Sequence, residues 1–275
     1  MNRRLALGLA CLAVPVAAAL AAPLLALLLA LDPTEPDLFN RFAQPSSANP
    51  LGTDDLGRDV LLRLAYGARV SLAVGLATAL VATLIGTAVG LFAAWAGGLA
   101  DAALMRVADA LLALPALPLL VILAGLDPAV VGLPRGEPVA DMLRIVVILA
   151  AFGWVGVARL ARAQALSTLA RDHVRAARAL GVSEPRLLLR HVLPTLSGPV
   201  SVATALAVAG AILAESTLSF LGLGIAPPAP SWGNMLAGAQ EAVFEAPLAA
   251  LWPGLCIMLA VAGATLVADG LRRGR

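Results

Sequence analysis

Residues 70–100 read VSLAVGLATALVATLIGTAVGLFAAWAGGLA and contain no charged side chain. A helix rises about 1.5 Å per residue, so roughly 20 apolar residues cross the hydrocarbon core of a bilayer. This stretch is long enough to do so, which predicts a transmembrane helix. Within it, Ala82, Gly86 and Gly90 repeat every fourth residue, a pattern that favours the close approach of another helix. We interpret that face as a packing surface rather than a substrate site.

Five further runs without a charged residue occur along the chain, at residues 5–31, 110–126, 145–158, 192–214 and 246–268. Together with residues 70–100 they predict about six spans, so the expected fold class is an all-α integral membrane protein. The first run has 27 residues, too many for the apolar core of a signal peptide. We interpret it as a retained transmembrane helix.

Two apolar segments are irregular. The run at residues 145–158 has only 14 residues between Arg144 and Arg159, which predicts that its helix begins earlier, near Val139. Residues 216–240 are also uncharged, but their glycines and prolines disfavour a lipid-exposed helix. We therefore expect a loop or a re-entrant turn there.

The composition excludes several functions. Of the 275 residues, 60% are hydrophobic and 13% are charged, and the mean hydropathy is +0.92. All 19 basic residues are arginines, so the chain lacks the lysine of a P-loop ATPase, and any ATP hydrolysis must come from another chain. A net charge of +2 and 4% aromatic residues argue against a nucleic-acid partner. The two histidines, His173 and His191, lie 18 residues apart without a zinc-binding pattern, so we expect no metal site and no catalytic residues.

The distribution of arginines predicts the orientation. With six spans and a cytoplasmic N-terminus, 13 arginines lie inside and 6 outside. Because positively charged residues accumulate on the cytoplasmic side, we expect both termini in the cytoplasm.

A cytoplasmic loop carries the densest group of arginines. Residues 171–180 are rich in helix formers and are followed by Gly181, which predicts a short helix ending at that glycine. Ser183 is expected to cap a second helix, with Pro185 in its first turn.

The first short helix is predicted to be amphipathic. On a helical wheel its arginines form a cationic stripe, and small apolar residues group on another face. The stripe consists of Arg171, Arg175 and Arg178, and the apolar group of Val174, Ala177 and Leu180. Such a helix fits either anionic lipid headgroups or close contact with another protein, and the residue pattern leaves both open.

The same loop resembles a known motif. VRAARALG at residues 174–181, followed after nine residues by HVLP at 191–194, is similar to the EAA loop of binding-protein-dependent ABC importer permeases. The spacing E-A-A-x3-G-x9-I-x-L-P is complete, and RHVLP at residues 190–194 resembles the variant found in dipeptide and oligopeptide permeases. Arg175 stands where that family usually has Glu.

Further segments resemble the C-type permease subunits of dipeptide, oligopeptide and nickel importers. They are NPLGTDDLGRDV at residues 49–60, YGARVSL at 66–72, MRVAD at 105–109, LSFLGLG at 218–224 and SWGNM at 231–235. The resemblance implies the type-1 importer permease fold, in which the EAA loop couples the membrane helices to an ATPase. The implied coupling residues are Arg171, Asp172, His173, Val174, Arg175, Ala176, Ala177, Arg178, Ala179, Leu180, Gly181, Arg190, His191, Leu193 and Pro194.

The resemblance also implies partners and an external face. The expected partners are a second homologous permease, two cytoplasmic ABC ATPases that carry ATP and Mg, an extracytoplasmic solute-binding protein and membrane lipid. No cofactor is expected on this chain. The candidates for facing the binding protein are Asp54, Asp55, Arg58, Asp59, Glu215, Trp232 and Asn234. Glu215 ends the fifth predicted span, where contact with the binding protein and a simple interface position both stay open.

Asp109 is an ionisable residue within a predicted span, which makes it a functional candidate. Arg106 lies three residues earlier on the same face, so a structural Arg–Asp pair is the simpler interpretation.

The expected organisation has four parts. They are a transmembrane helix at residues 1–34, an external segment at 35–66, a permease domain at 67–269 with its coupling loop at 161–195, and a cytoplasmic tail at 270–275. The expected function is half of the translocation pathway of a bacterial inner-membrane peptide importer. A nickel or other small-solute importer is the alternative within the subfamily, and a polytopic membrane enzyme or a stand-alone channel is the alternative outside it.

Overall fold

A computed structural model describes residues 2–126, 137–241, 244 and 246–273. These residues form ten α-helices. Their bounds are α1 Arg3–Leu29, α2 Val60–Ala96, α3 Gly98–Ala113, α4 Ala116–Gly125, α5 Pro138–Leu169, α6 Asp172–Ala179, α7 Glu184–Leu187, α8 Leu193–Phe220, α9 Trp232–Glu241 and α10 Pro247–Arg273. A 3₁₀ turn at Leu38–Asn40 and a π-helical turn at Leu188–Val192 complete the described elements.

Five of these helices are long and apolar enough to span a membrane, namely α1, α2, α5, α8 and α10. Helices α3 and α4 are long and apolar enough only as a pair, which is bent by 87° at the break, so the described helices give five spans, or six if this pair crosses the membrane. The expectation of about six spans is confirmed with a correction: residues 110–126 are not one straight helix. The break falls at Leu114 and Pro115, since a residue before proline is driven out of the helical conformation.

The fourth predicted helix begins early, as expected. It starts at Pro138 rather than at residue 145, and its 32 residues resolve the apparent shortness of that span. Helix α2 begins at Val60, so the expected domain boundary at residue 66 falls inside a helix. Residues 232–241 form the short helix α9 inside the segment expected to be a loop. Helix α10 continues through Arg273 into the expected tail, whose residues 274–275 lie outside the described residues.

The centre of the bundle is the contact between α2 and α5. Helix α5 crosses α2 at Gly86 and Gly90. A Cβ atom at Gly86 would lie 2.5 Å from the Trp154 carbonyl oxygen and 2.7 Å from Val157 Cβ, and one at Gly90 would meet the Ala158 carbonyl oxygen. The small-residue pattern of α2 is therefore a packing surface, as predicted.

The first and last helices pack together. Gly8 of α1 faces Gly263 of α10, where no side chain separates the two backbones. Arg4 Nη1 donates to Asp269 Oδ2 at 2.7 Å, so the start of α1 and the end of α10 lie at one end of the bundle. Leu271 lines a cavity with Gly198, near the start of α8, which places this end beside the loop that contains α6.

Candidate functional site

The loop between α5 and α8 is anchored to the bundle by one buried side chain of α6. Val174 is fully buried and belongs to a cluster with Leu187 of α7 and Val192 of the π-helical turn. The bundle side of this cluster consists of Ala94, Ala161, Ala165 and Leu196, from α2, α5 and α8. Val174 therefore connects α6 to three of the membrane helices.

Helix α6 ends as predicted. Gly181 has φ +83°, a left-handed conformation that favours glycine. Its N–H donates to the Arg178 carbonyl at 3.0 Å and the Val182 N–H donates to the Ala177 carbonyl at 3.2 Å, the two bonds of a Schellman motif. Ser183 is at the start of α7, but its side chain makes no capping hydrogen bond, contrary to the prediction.

The outward side of α6 carries small and apolar residues among its charged ones. Ala176 and Ala179 are exposed, and Leu180 is 86% exposed. The prediction that Leu180 shares an apolar face with Val174 is wrong, because Val174 points into the bundle while Leu180 points away from it. Asp172 and His173, the first two residues of α6, are also exposed.

The predicted cationic stripe is partly neutralised within the loop. Arg178 donates to both carboxylate oxygens of Glu184, with Nε to Oε1 at 2.7 Å and Nη2 to Oε2 at 3.1 Å. Arg175 Nη1 lies 3.9 Å from Asp172 Oδ1, and its side chain is 71% exposed. Arg178 is exposed like Arg171 and Arg175, but its charge is paired with Glu184, which joins α6 to α7.

Reversing Arg178 tests this internal role. Arg178→Glu places two carboxylates together, so we expect ATP-driven transport to fall by roughly two- to fivefold, the scale of an exposed ion pair. The double variant with Glu184→Arg restores the pair with its polarity exchanged and is expected to recover transport. A double variant no better than Arg178→Glu alone contradicts the internal role.

The remaining coupling candidates lie where the loop joins α8. Arg190 is exposed and His191 half-buried in the π-helical turn, and Leu193 and Pro194 are the first residues of α8. Thr195 Oγ1 lies 2.9 Å from Thr168 Oγ1, so a hydrogen bond closes the base of the loop between α8 and α5.

The charged block at residues 54–59 is folded inward. Arg58 is 8% exposed and its Nε donates to Asp54 Oδ2 at 2.8 Å. Arg63 Nε lies 3.2 Å from the same oxygen, and Arg63 Nη1 donates to the Pro33 carbonyl at 2.8 Å. Of the external candidates in this block, only Asp55 keeps about a third of its side chain exposed.

Asp59 caps α2. Its Oδ1 accepts from the Leu62 N–H at 2.7 Å, and its side chain is buried. This burial raises the pKa of the Asp59 carboxyl, against the lowering effect of the backbone N–H donors. Arg58 and Asp59 therefore organise the external segment, which corrects the prediction that they face a binding protein.

Glu215 and Trp232 are fully buried, which corrects their predicted outward position. Trp232 Nε1 donates to the Leu64 carbonyl of α2 at 3.2 Å, and Ser71 Oγ of α2 donates to Glu215 Oε2 at 2.9 Å. Asn234 Nδ2 donates to the carbonyls of Ile225 and Ala229, so its side chain closes the loop before α9. These three residues hold the last external loop in place.

Other residues are exposed in the segment that the sequence predicts to be external, and no sequence motif indicated them. The 3₁₀ turn presents Leu38, 62% exposed, and Phe39, fully exposed, next to the exposed acids Asp32, Glu35 and Asp37. We call residues 32–40 the external tip. The nearby excess of acids over bases was readable in the sequence, but no pattern indicated that the apolar side chains point outward.

Asp109 pairs with a different arginine from the one predicted. Arg159 Nη1 of α5 donates to Asp109 Oδ1 at 3.0 Å, so the predicted pair with Arg106 on the same helix is wrong. Arg162 of α5 forms a bidentate pair with Asp101, three turns before the break in the span. Two ion pairs thus attach α3 to α5, next to the point where α5 leads into α6. Because the partners are 50 and 61 residues apart, local spacing does not reveal them.

The part of the chain that the structure describes contains no group of three or more His, Cys, Asp or Glu side chains able to hold a metal ion. The arrangement places the exposed face of α6 at one end of the bundle, packed through Val174 against α2, α5 and α8, and the folded block at residues 54–59 in another part of the chain.

The comparisons with known proteins agree with this architecture. Residues 86–274 match the family described as the binding-protein-dependent transport system inner membrane component. A probable peptide ABC transporter permease of Sinorhizobium fredii is 41% identical over 88% of this chain and 79% of its own length. The oligopeptide transport system permease protein OppC of Bacillus subtilis is 34% identical over 88% and 75%, and the di/tripeptide transport system permease protein DppC of Pseudomonas aeruginosa 39% over 81% and 70%.

The chain belongs to this family of inner-membrane transport subunits. It is a multi-pass ABC transporter permease, which confirms the resemblance stated from the motifs. Its role is therefore that of a transport subunit. The family assignment argues against the two alternatives, a membrane enzyme and a stand-alone channel.

Proposed function

We propose that this permease forms half of the translocation pathway of an ATP-driven importer for peptides. The permeases of Sinorhizobium, Bacillus and Pseudomonas carry peptide, oligopeptide and di/tripeptide names, and they are similar to this chain over at least 81% of its length. Nickel or another small solute remains the alternative substrate within the subfamily.

The observation that carries the proposal is the construction of α6. Its inner side is fixed by Val174 to helices of the bundle, while Ala176, Ala179 and Leu180 are left uncovered. Small exposed side chains admit a close approach by another protein, and an 86% exposed leucine stabilises the complex when it is buried. The occupant we propose is a cytoplasmic ABC ATPase that binds ATP and Mg. Two such ATPases and a second homologous permease complete the importer.

The mechanism follows from the attachment of α6. ATP binding must favour one of two arrangements of the membrane helices, and a ligand shifts such an equilibrium only through contacts that differ between the two states. Movement of the ATPase displaces α6, and the Val174 cluster conveys that displacement to α2, α5 and α8. The broken span follows α5 through Arg159–Asp109 and Arg162–Asp101.

The external tip is the surface we assign to the solute-binding protein. Leu38 and Phe39 supply an exposed apolar centre and Asp32, Glu35 and Asp37 an acidic rim, which fits a partner lobe with basic residues around an apolar depression. The excess of negative charge opposes contact with anionic lipid.

The orientation we propose has both termini and α6 in the cytoplasm. The arginine distribution supports it, as does the position of both chain ends beside the loop that contains α6.

The experiment is purification of the tagged chain from its native membrane in mild detergent, followed by reconstitution. We expect a second permease and two P-loop ATPases to co-purify, identified by mass spectrometry. Proteoliposomes with the cognate binding protein are expected to accumulate a radiolabelled tripeptide on addition of ATP and Mg. Accumulation of nickel but not of peptide identifies the alternative substrate, and an ATP-independent flux or the lack of any ATPase contradicts the importer.

A further inference from the structure

A buried acid at the external end of α8 plays no part in the function proposed so far. Glu215 is fully buried, and within the described residues no arginine or histidine lies within ion-pair distance of it. Burying a carboxylate without a counter-charge is costly, and its oxygens must be satisfied by hydrogen-bond donors. The burial of Glu215 therefore indicates a structural or functional role for this carboxyl group.

The donors are serine hydroxyls from two helices. Ser219 Oγ donates to Glu215 Oε1 at 2.7 Å, Ser71 Oγ of α2 donates to Oε2 at 2.9 Å, and Ser216 Oγ lies 3.4 Å from Oε2. Glu215 thus holds α2 and α8 together at their external ends.

Two of these hydroxyls also hold residues 221–241, the loop after α8 together with α9. We call this segment the external hairpin. Ser219 Oγ accepts from the Ile225 N–H at 3.1 Å, and Ser71 Oγ accepts from the Trp232 N–H at 3.3 Å. A carboxylate only accepts hydrogen bonds, so it draws each hydroxyl proton toward itself and turns the oxygen lone pairs toward the hairpin amides. Each serine therefore works as a relay from Glu215 to the hairpin backbone.

The external hairpin fits closely against the same helices. A Cβ atom at Gly233 would lie 2.7 Å from Ser216 Cα, and one at Gly224 would lie 2.6 Å from the Ser219 nitrogen. The hairpin also contacts α5, where Arg144 Nη2 donates to the Leu223 carbonyl at 3.1 Å.

Helix α8 connects this cluster to the loop that contains α6. Its 28 residues run without interruption from Leu193 to Phe220, a length of about 42 Å. One end packs against Val174 through Leu196, and the other carries Glu215.

We infer that Glu215 is a positioning residue that fixes the external hairpin to α2 and α8 through Ser71 and Ser219, so that the hairpin follows α8 during transport. The anchoring is a property of this chain alone, whereas its consequence for transport rests on the proposed importer function. In the proposed importer, ATP-driven movement at α6 then reaches the external face through α8, which is continuous although Pro199 lies inside it.

The anchoring is tested by labelling a buried position of the hairpin. Ala229 is 9% exposed, so Ala229→Cys, in a chain whose two native cysteines at 11 and 256 are replaced by alanine, reports hairpin opening. Glu215→Gln replaces one acceptor oxygen by a donor, which leaves one serine proton without an acceptor. We expect a membrane-impermeant maleimide to label the introduced thiol about tenfold faster when Glu215→Gln is also present, the scale of a lost buried hydrogen bond.

Transport provides the second readout. In the reconstituted complex, Glu215→Gln is expected to lower ATP-driven tripeptide uptake by about tenfold while ATP hydrolysis continues, so that uptake per ATP falls. The matched control is Thr217→Ala, two residues away, because Thr217 is exposed and, among the described residues, its hydroxyl bonds only the Leu213 carbonyl of its own helix. Its labelling and uptake are expected to equal those of the unmodified chain.

Ser71→Ala and Ser219→Ala each remove one relay. If Glu215→Gln does not insert into the membrane, the labelling rates of these two variants test the anchoring instead. Slow labelling in all three variants overturns the anchoring. If labelling is fast but tripeptide uptake per ATP is unchanged, Glu215 anchors the external hairpin but has no role in transport. If the unmodified complex shows no ATP-driven uptake, the proposed function fails while the labelling still decides whether Glu215 anchors the hairpin.

Discussion

Leu180→Asp is expected to abolish ATP-driven uptake while the chain still inserts and binds the second permease. Leu180 is 86% exposed on the outward face of α6, next to Ala176 and Ala179. In the proposed complex an ATPase buries this side chain, so an aspartate there would lose the apolar contact and add a carboxylate without a partner. The combined cost is about 3–5 kcal/mol, or roughly a 100- to 4,000-fold weaker association.

The measurement is the amount of ATPase that co-purifies with the tagged variant, together with tripeptide uptake in proteoliposomes. The matched control is Leu99→Asp, since Leu99 is 90% exposed at the start of α3 and lies outside the loop that contains α6. We expect the control to keep uptake within about twofold. If Leu180→Asp and Leu99→Asp retain equal amounts of ATPase, α6 is not the element on which the ATPase docks.

Gly86→Ala is expected to destabilise the folded chain. The new Cβ atom would lie 2.5 Å from the Trp154 carbonyl oxygen and 2.7 Å from Val157 Cβ, so α5 must move away. Backbone atoms cannot rotate aside as a side chain can. Overpacking of this kind costs about 1–3 kcal/mol and lowers the melting temperature by roughly 2–12 °C.

Gly156→Ala provides the control for the melting experiment. Gly156 lies on α5, and a Cβ atom there has nothing within 4 Å. Alanine is the better helix former by about 1 kcal/mol, so this variant is expected to match or exceed the stability of the unmodified chain. The check is thermal unfolding of the purified permease in detergent. If Gly86→Ala has the same melting temperature as Gly156→Ala, the α2–α5 contact tolerates the methyl group.

Much of the loop that contains α6 was predictable from the sequence, because residues close together in the chain determine its structure. The end of α6 follows from Gly181, whose left-handed backbone closes a helix whatever its surroundings. The early start of α5 followed from the length that a membrane requires, compared with the 14 uncharged residues available. The motif spacing was sufficient to indicate the family.

Ion pairs and burial at the candidate sites were not predictable in the same way. Arg178 lies on the predicted cationic stripe, yet Glu184 on the next helix takes up its charge, and Asp109 finds Arg159 50 residues away instead of Arg106. The choice between such partners depends on how helices pack, and spacing along one helix contains no information about it.

The sequence by itself determined that this chain is helical and membrane-spanning, roughly where its apolar spans lie and where α6 stops. These features depend on the transfer of apolar segments out of water and on backbone conformation, which are properties of single segments. Only the tertiary structure decided that Leu180 points outward, that Arg58 and Asp59 turn inward, and that Glu215 and Trp232 lie inside the external end of the bundle. A charged or aromatic residue near a membrane surface is equally compatible with an exposed and a buried position. The helices packed around it decide the outcome, because a buried polar group is stable only where neighbouring segments supply its hydrogen-bond partners.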